Sequence, residues 1–577
     1  MPDWFYRPVA QRALFWLPDG WSRAVGLGVI GGLGKSTPGR ALIDFFGHMD
    51  PDPRLAVEVG GTKYSSPIGL GWRVDPERRA TRGLARFGVG CVETRTDGPR
   101  NVFRSEGETL TDGGMVKENS PPVVDGLPIL RRWESADGDE RVELPSGLNV
   151  SVVPWDENPC ADAARAFEDG VMLQVGVRRE RGGWVVPAAR PKNLAHQVRV
   201  WREKLPVCAI IVVAGGVDGP EDAVALVEAG ASLVLVDAGL VYRGPGLIKR
   251  CNEALLLHHG AKTKAEVPEP LFRRAWVWAA ALGAAMVIGG AATLGLAATR
   301  VLLPYDEHYL GITADVLERN SPRLFAFMAH DRGTLAGTML GLGWLYFLLG
   351  WHAVRRGVHG AKTAVAASAL TGFASFFSFF GFGYFDTLHA FVAVVLFQIT
   401  VQIMTGGEGG AEERGAMMEV EDASWRRALW GQLLWVIHAV GLLIAGCVIL
   451  GIGMTSVFVS EDLAFLCMSE AQAQQMDARM IAVVAHDRAT LGGMLLASGV
   501  AMLLPVLWCF RRGATWLWSG IAGLGVPAYA AAIGVHLWVG YTDWRHLAPA
   551  FAGLALWAAG LGLSRGYLGS GERKVRR

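Results

Sequence analysis

Two stretches of the chain carry the same three ionisable side chains in a row. They are "FMAHDRGTLAGTMLGLGWLYFLLGWHAVRRG" (327–357) and "VVAHDRATLGGMLLASGVAMLLPVLWCFRRG" (483–513). His330, Asp331 and Arg332 in the first answer to His486, Asp487 and Arg488 in the second, at a constant offset of 156 positions. Further on, Asp386 and His389 answer to Asp543 and His546 at an offset of 157. Ionisable groups gathered at the ends of apolar helices suit an outward-facing site for a metal, a haem or an anionic headgroup. A plainer reading remains open beside it: Asp331 and Asp487 precede helical runs and can cap free N–H groups, each neutralised by its neighbouring arginine. His438 and His536 lie deeper in apolar runs and read as satisfied core histidines, so haem is not expected. The seven cysteines show no CxxC or zinc-like spacing, and no metal site is assigned from them. A net charge of +1 leaves no footprint for nucleic acid.

The elements that must position these residues are membrane helices. With 577 residues, 51% of them hydrophobic, the chain is too apolar for one ordinary water-soluble domain, and the excess is concentrated after about residue 275. Apolar runs predict spans at 276–298, 334–353, 363–384 and 386–404, then at 429–455, 491–510, 516–540 and 546–563. The internal echoes make these two copies of a four-helix unit, parallel because each copy has an even number of spans. Under that topology Arg273-Arg274, Arg355-Arg356, Arg426-Arg427, Arg511-Arg512 and the tail "ERKVRR" share one side, which the positive-inside rule makes cytoplasmic. The expectation is a multi-pass protein of the inner (plasma) membrane, with both histidine motifs on the outer face. The domains expected are 1–55, amphipathic helices lying on a membrane face; 56–260, an α/β domain; 272–404 and 426–565, the membrane repeats. A flexible glycine-rich linker (405–425) and a basic tail (566–577) complete them.

Before residue 270 the apolar runs are strand-sized, as in "CAIIVVAGG" and "ASLVLVDAG". "SSPIGLGWRVDPERRATRGLARFGVGCVETRT" (65–96) reads as strand, helix and strand. "CAIIVVAGGVDGPEDAVALVEAGASLVLVDAGLVYRGPGLIKR" repeats the pattern, with Gly215-Gly216 at a strand end before a helix, a placement that suits a phosphate as well as any tight turn. Together with the N-terminal "WFYRPVAQRALFWLPD", these segments resemble the quinone-linked dihydroorotate dehydrogenases over about residues 4–257. The resemblance implies a (β/α)8 barrel, FMN as cofactor, quinone and the lipid bilayer as partners, and a place in pyrimidine biosynthesis. Carried over residue by residue, it implies cofactor contacts at Gly71, Thr96, Gly215, Gly216 and Gly239.

The chain departs from the family where the chemistry sits. The family's A-A-G-x-D-K strand end is Gly71-Trp72-Arg73-Val74-Asp75-Pro76 here, and Arg95 takes a glycine position. The serine base of an N-x-S-S-P-N-T loop has no counterpart in "VMLQVGVRRERGGW", which offers Arg178, Arg179 and Glu180; Asn119-Ser120-Pro121 is a rival placement that falls too early in the barrel order. A phosphate-cradling Tyr-Thr/Ser-Gly turn is Asp237-Ala238-Gly239. About two βα units look absent. The reading is α/β plus all-α membrane: an incomplete FMN-type barrel that binds flavin poorly or not at all, followed by eight transmembrane helices. It serves as scaffold or sensor, or as an appendage to a membrane domain with an outer-face site. Two alternatives stand beside this, a quinone-linked FMN oxidoreductase and a transporter.

Overall fold

The computed structural model describes residues 3–18, 20–95, 123–124, 126–134, 139–154, 169–175, 177–179, 185–187, 193–258, 270–376, 384–385, 387–407 and 421–570. The chain divides into two compact units, Met1–Lys262 with Arg414–Asp422, and Thr263–Glu413 with Ala423–Arg577. Each is described by itself.

The first unit opens with a helical stretch over residues 3–16, followed by helices α1 (Trp21–Lys35) and α2 (Thr37–Gly47). Trp16 at the end of that stretch and Trp21, Val25, Val29, Leu42, Phe45 and Phe46 on the two helices are exposed. Behind them stands a closed barrel of eight strands: β1 (Ile68–Leu70), β2 (Cys91–Arg95), β3 (Leu127–Glu134), β4 (Glu140–Glu143), β5 (Asn149–Pro154), β6 (Gly170–Gln174), β7 (Ile210–Ala214) and β8 (Leu233–Val236). The order round the ring is β2-β1-β8-β7-β6-β5-β4-β3, and β3 returns to pair with β2 in the register Val92↔Ile129. Every pairing is parallel except β3–β4 and β4–β5, so β4 alone runs backwards.

That reversal corrects the expectation of an incomplete barrel. Parallel neighbours need a crossover of a dozen or more residues, whereas antiparallel neighbours need only a hairpin. By turning twice in hairpins between Leu127 and Pro154, the chain supplies three staves with no helix between them, and the ring closes despite the missing units. Among the described residues, α3 (Leu194–Lys204) joins β6 to β7 and α4 (Pro220–Glu228) joins β7 to β8, while α5 (Ala238–Arg243) and α6 (Gly246–His258) follow the last strand.

Strand runs such as "IIVVA" are apolar throughout because both faces are buried. Ile210, Val212, Ala214, Leu233 and Leu235 fill the lumen with Leu130, Val142, Val150 and Met172. The alternate residues Ile211, Val213, Val234 and Val236 lie under the helices. The N-terminus is tied down by Asp3, fully buried, which pairs with Arg250 of α6. Glu421, which belongs to this unit, lies 3.2, 3.1 and 3.2 Å from the guanidinium nitrogens of Arg7, Arg243 and Arg250. Most of the glycine-rich linker lies outside the described residues.

The second unit is helical. Its first set runs α7 (Ala275–Thr299), α8 (Pro304–Leu310), α9 (Ala314–Asn320), α10 (Pro322–Leu348), α11 (Ala361–Phe376) and α12 (Thr387–Thr405). A second set follows: α13 (Ala423–Met454), α14 (Ser460–Leu466), α15 (Glu470–Gln474), α16 (Ala478–Trp508), α17 (Thr515–Val539) and α18 (Trp544–Leu568). Among the described residues six helices are long and apolar enough to cross a membrane: α7, α10 with its continuation to Arg356, α13, α16, α17 and α18. The protein is thus a multi-pass membrane protein, and α12 contains a shorter apolar helix, Ala390–Thr405.

In packing, α7 lies on α10 as α13 lies on α16, α10 on α17 as α16 on α11, and α10 meets α16 at the centre. Close approach rests on small residues, since lipid gives no hydrophobic drive between helices. A Cβ on Gly283 of α7 would fall 2.3 Å from the Phe347 nitrogen, and one on Gly343 of α10 would fall 2.7 Å from the Gly283 oxygen.

Candidate functional sites in the barrel mouth and the membrane domain

In barrels of this type, chemistry sits at the C-terminal ends of the strands. Here that mouth is filled by the chain's own side chains. Arg132 of β3, with no exposed surface, reaches Glu93 Oε1 at 2.7 Å, Glu140 Oε2 at 2.7 Å and Gln174 Oε1 at 2.6 Å. The Trp72 backbone N–H donates to Glu93 Oε2 at 3.2 Å. The guanidinium groups of Arg73, Arg95 and Arg132 lie 5.8, 5.1 and 5.9 Å from the centre of the Trp72 ring, within cation–π range. Arg73 also donates to the Val175 carbonyl at 3.1 Å and stands 3.9 Å from Asp237 Oδ2.

The glycines implied by resemblance are packed against protein. A Cβ on Gly71 would lie 2.2 Å from Asp237 Oδ1, and one on Gly239 would lie 2.0 Å from the Val217 oxygen. Gly215 and Gly216 hold φ of +86° and +77° and turn the chain against Val175, Leu194 and Asp237. Asp237 is buried at the N-cap of α5, and among the described residues its Oδ1 has no hydrogen-bond partner. Burial, and then the negative Glu93, push its carboxyl up to about 7, against the opposing pull of Arg73 and Arg132. Thr96 lies outside the described residues, as do Asn119, Ser120, Pro121 and Glu180. Val177–Arg179 pairs with Val185–Pro187 as a hairpin. Glu93, Arg132 and Gln174 were not singled out from the sequence; polar residues in otherwise apolar strands were the available sign.

In the second unit the two His-Asp-Arg motifs meet. They sit inside α10 and α16, which begin at Pro322 and Ala478, about a dozen residues before the predicted starts. Asp331 and Asp487 are therefore not helix caps, and the arginine beside each is not its partner. The pairing is crossed. Arg332 Nε holds Asp487 Oδ2 at 2.8 Å, and Arg488 Nε lies 3.5 Å from Asp331 Oδ2.

The second hand of each arginine stays at home. Arg332 Nη1 reaches Asp306 Oδ2 at 2.7 Å and the Val301 carbonyl, while Arg488 Nη1 reaches Asp462 Oδ2 at 2.7 Å and the Val457 carbonyl at 2.7 Å. Asp306 accepts also from the Tyr384 hydroxyl, and Asp462 from the Tyr541 hydroxyl at 2.8 Å. Both aspartates close capping boxes, from the N–H of Leu303 and Val459 respectively, at 2.8 Å each. All four charged pairs are buried. Val301 and Val457 have φ of +58° and +64°, a conformation that β-branched residues rarely adopt, and each turns its carbonyl onto an arginine. Asp306, Asp462, Tyr384 and Tyr541 were missed in the sequence, although the same offsets of 156 and 157, applied beyond the motif, mark them.

The histidines are less even. His486 Nδ1 meets Asp487 Oδ1 at 3.0 Å. His330 instead lies beside His536 and His546, and one nitrogen from each of the three rings falls within 4.8 Å of the others. His536, read from the sequence as a core histidine, is thus part of the cluster. His438 fits that reading, with Nε2 on Tyr529 Oη at 2.6 Å and Nδ1 on Met502 Sδ at 3.2 Å. Asp543 caps α18, its Oδ1 accepting from the N–H of Arg545 and His546 at 2.7 and 3.2 Å, and takes no part in the cluster. Asp386 and the side chain of His389 lie outside the described residues. A largely apolar cavity of ≈ 220 Å³ between α7, α10, α11, α12 and α16 ends on Arg332, His486 and Asp487.

No family model matches the chain. Among curated proteins it is similar to "Dihydroorotate dehydrogenase (quinone)" of Christiangramia forsetii, 40% identical over 293 residues covering 36% of this chain and 85% of that protein. The namesake from Stutzerimonas stutzeri is 36% identical over 339 residues, covering 43% of this chain and 97% of the relative. That from Acidithiobacillus ferrooxidans is 23% identical over 301 residues, 35% of this chain and 82% of the relative. Almost the whole of each relative thus aligns with about two fifths of this chain, in keeping with a shortened barrel.

Proposed function

This chain belongs, through its N-terminal part, to the quinone-dependent dihydroorotate dehydrogenase family, and on that premise we propose that the family's chemistry has passed out of its barrel. The barrel is a cytoplasmic scaffold or sensor, and the working centre is the crossed His-Asp-Arg cluster of a membrane domain built from two parallel four-helix repeats. The observation that carries the barrel half of this reading is Arg132, whose ties to Glu93, Glu140 and Gln174 fill the mouth where a flavin ring would lie. At the phosphate end stands the buried Asp237, a carboxylate that would repel a phosphate when ionised. The residues present do not fit FMN, and no step is derived through it.

The membrane half rests on cost. Burying a charge is expensive unless it is paired, and intramembrane ionisable groups are retained chiefly where they function. Here two arginines and four aspartates are buried together with His330, His486 and His536. The arginine pairs on the loops and the tail support an outer-face position for the cluster and a cytoplasmic barrel and C-terminus.

The second reading, an FMN-linked oxidoreductase passing electrons to quinone, is favoured by the names of the relatives. The visible spectrum of the full-length protein in mild detergent, with acid release of any flavin, decides between them. A colourless protein is expected; stoichiometric FMN would overturn the proposal. The variant with both His330→Ala and His486→Ala then separates a pure scaffold, which would keep its native behaviour, from a working membrane centre, which would lose its ligand.

A further inference from the structure

We propose that His330, His536 and His546 form a three-imidazole site for a divalent transition-metal cation of the zinc class, to which the first set of helices contributes one ring and the second set two. The inference deepens the reading above, since it names the ligand of that membrane centre and rests on it. Three rings approach from three helices, α10, α17 and α18, and His330 Nε2 lies 2.9 Å from His536 Nε2. Two imidazole nitrogens on one tetrahedral zinc, each at 2.0–2.1 Å, stand about 3.3 Å apart, so the observed spacing needs only a small opening to admit the ion.

The other nitrogen of each ring is already turned to an outer partner. His536 Nδ1 donates to the Ala532 carbonyl, and His546 Nδ1 meets the Tyr541 hydroxyl at 3.3 Å. His330 Nδ1 lies 3.1 Å from Asp331 Oδ1, within ion-pair range though off the line of a hydrogen bond. A carbonyl, a phenol and a carboxylate on the far side are the partners that fix the tautomer of metal-bound histidine and leave Nε2 for the ion. Three neutral nitrogen ligands with no thiolate suit zinc, copper, nickel or iron and disfavour calcium and magnesium. Three protein ligands also leave a fourth position open, the pattern of a working site more than a structural one.

Charge supports the same assignment. The cation would share its surroundings with Asp331, which lies 3.5 Å from Arg488, a loose contact beside the 2.8 Å bond of Arg332 to Asp487. Asp331, the carboxylate beside His330, is therefore the less tightly paired of the two motif aspartates. The sequence breaks the symmetry at one point: with the 157-residue offset, the first-set counterpart of His536 is Phe379, which offers no imidazole.

The test uses the full-length protein in detergent with any affinity tag removed, stripped with chelator and titrated with Co²⁺, whose visible absorption reports a low-symmetry nitrogen site. One Co²⁺ per chain is expected, displaced by Zn²⁺, with binding weakened at least tenfold in His536→Phe and in His546→Gln and kept in His438→Gln. His536→Phe copies the residue of the other half, and monodispersity with unchanged helical circular dichroism guards against misfolding; His546→Gln gives a second, independent readout. Absence of a cobalt spectrum, or binding that both variants leave intact, overturns the proposal. Flavin is measured on the same preparation: FMN found together with cobalt would sink the wider reading and leave the metal site standing, whereas neither found would sink the metal site alone.

Discussion

Asp237 shows how a single carboxylate can report on a refitted site. Its carboxyl ordinarily titrates near 3.8 and in the fold is pushed up to about 7. The unfolded chain therefore loses this proton first, and the fold is weakened as pH rises. No penalty exists below about pH 4, it grows between about pH 4 and 7, and it is constant above that, on the order of a few kcal/mol. Asp237→Asn should raise the melting temperature of the barrel at about pH 8 and leave it unchanged at about pH 4. An equal effect at both would place the cause in packing rather than charge. The sequence marks Asp237 as a carboxylate in a phosphate-cradling turn, but not its cost, which comes from burial and from Glu93. Gly71 and Gly239, expected by resemblance as cofactor contacts, are crowded against Asp237 and Val217 of the chain itself.

At the scale of elements, the apolar runs of the membrane half revealed the long helices but misjudged where α10 and α16 begin. The physical reason is plain: His330-Asp331-Arg332 and its echo lower the local hydropathy, and a polar triplet before an apolar run imitates a cap. Once the pairs are crossed, the triplet costs the helix little and the helix runs on. The barrel was legible where both faces of a strand are apolar, as in β7 and β8. It was not legible in β3 to β5, where Arg131, Arg132, Arg141 and Glu143 interrupt the pattern and a reversed strand replaces a crossover. The turns entering α8 and α14 carry a prediction at this scale. A β-branched residue at positive φ stores about 1–3 kcal/mol, and glycine relieves that strain at an entropic cost of about 1 kcal/mol. Val457→Gly, which keeps the carbonyl that Arg488 needs, should leave stability unchanged or raise it by about 1 kcal/mol in thermal unfolding. A clear loss would mean that the Val457 side chain, which is 4% exposed, matters more through packing.

For the whole molecule, the sidedness read from arginine placement can be tested with cysteines already present. Cys467 and Cys208 are both exposed, the first between α14 and α15 and the second before β7. In intact spheroplasts, with Cys447, the other exposed cysteine among the described residues, and Cys160, which lies outside them, both replaced by serine, a membrane-impermeant maleimide should modify Cys467 readily and Cys208 only after lysis. The reverse order would invert the topology and bring the histidine cluster to the cytoplasmic side.

The exchanged ion pairs bear on how such a molecule can come apart. Each arginine keeps one aspartate from its own set of helices and borrows one from the other, so neither set alone is electrically complete in the bilayer. Prised from its twin, either half would expose an aspartate and a half-satisfied arginine to hydrocarbon, at a cost of several kcal/mol. A cut in the linker should then leave two fragments that stay together in the membrane, whereas either fragment synthesised without the other would be an orphan fit only for degradation.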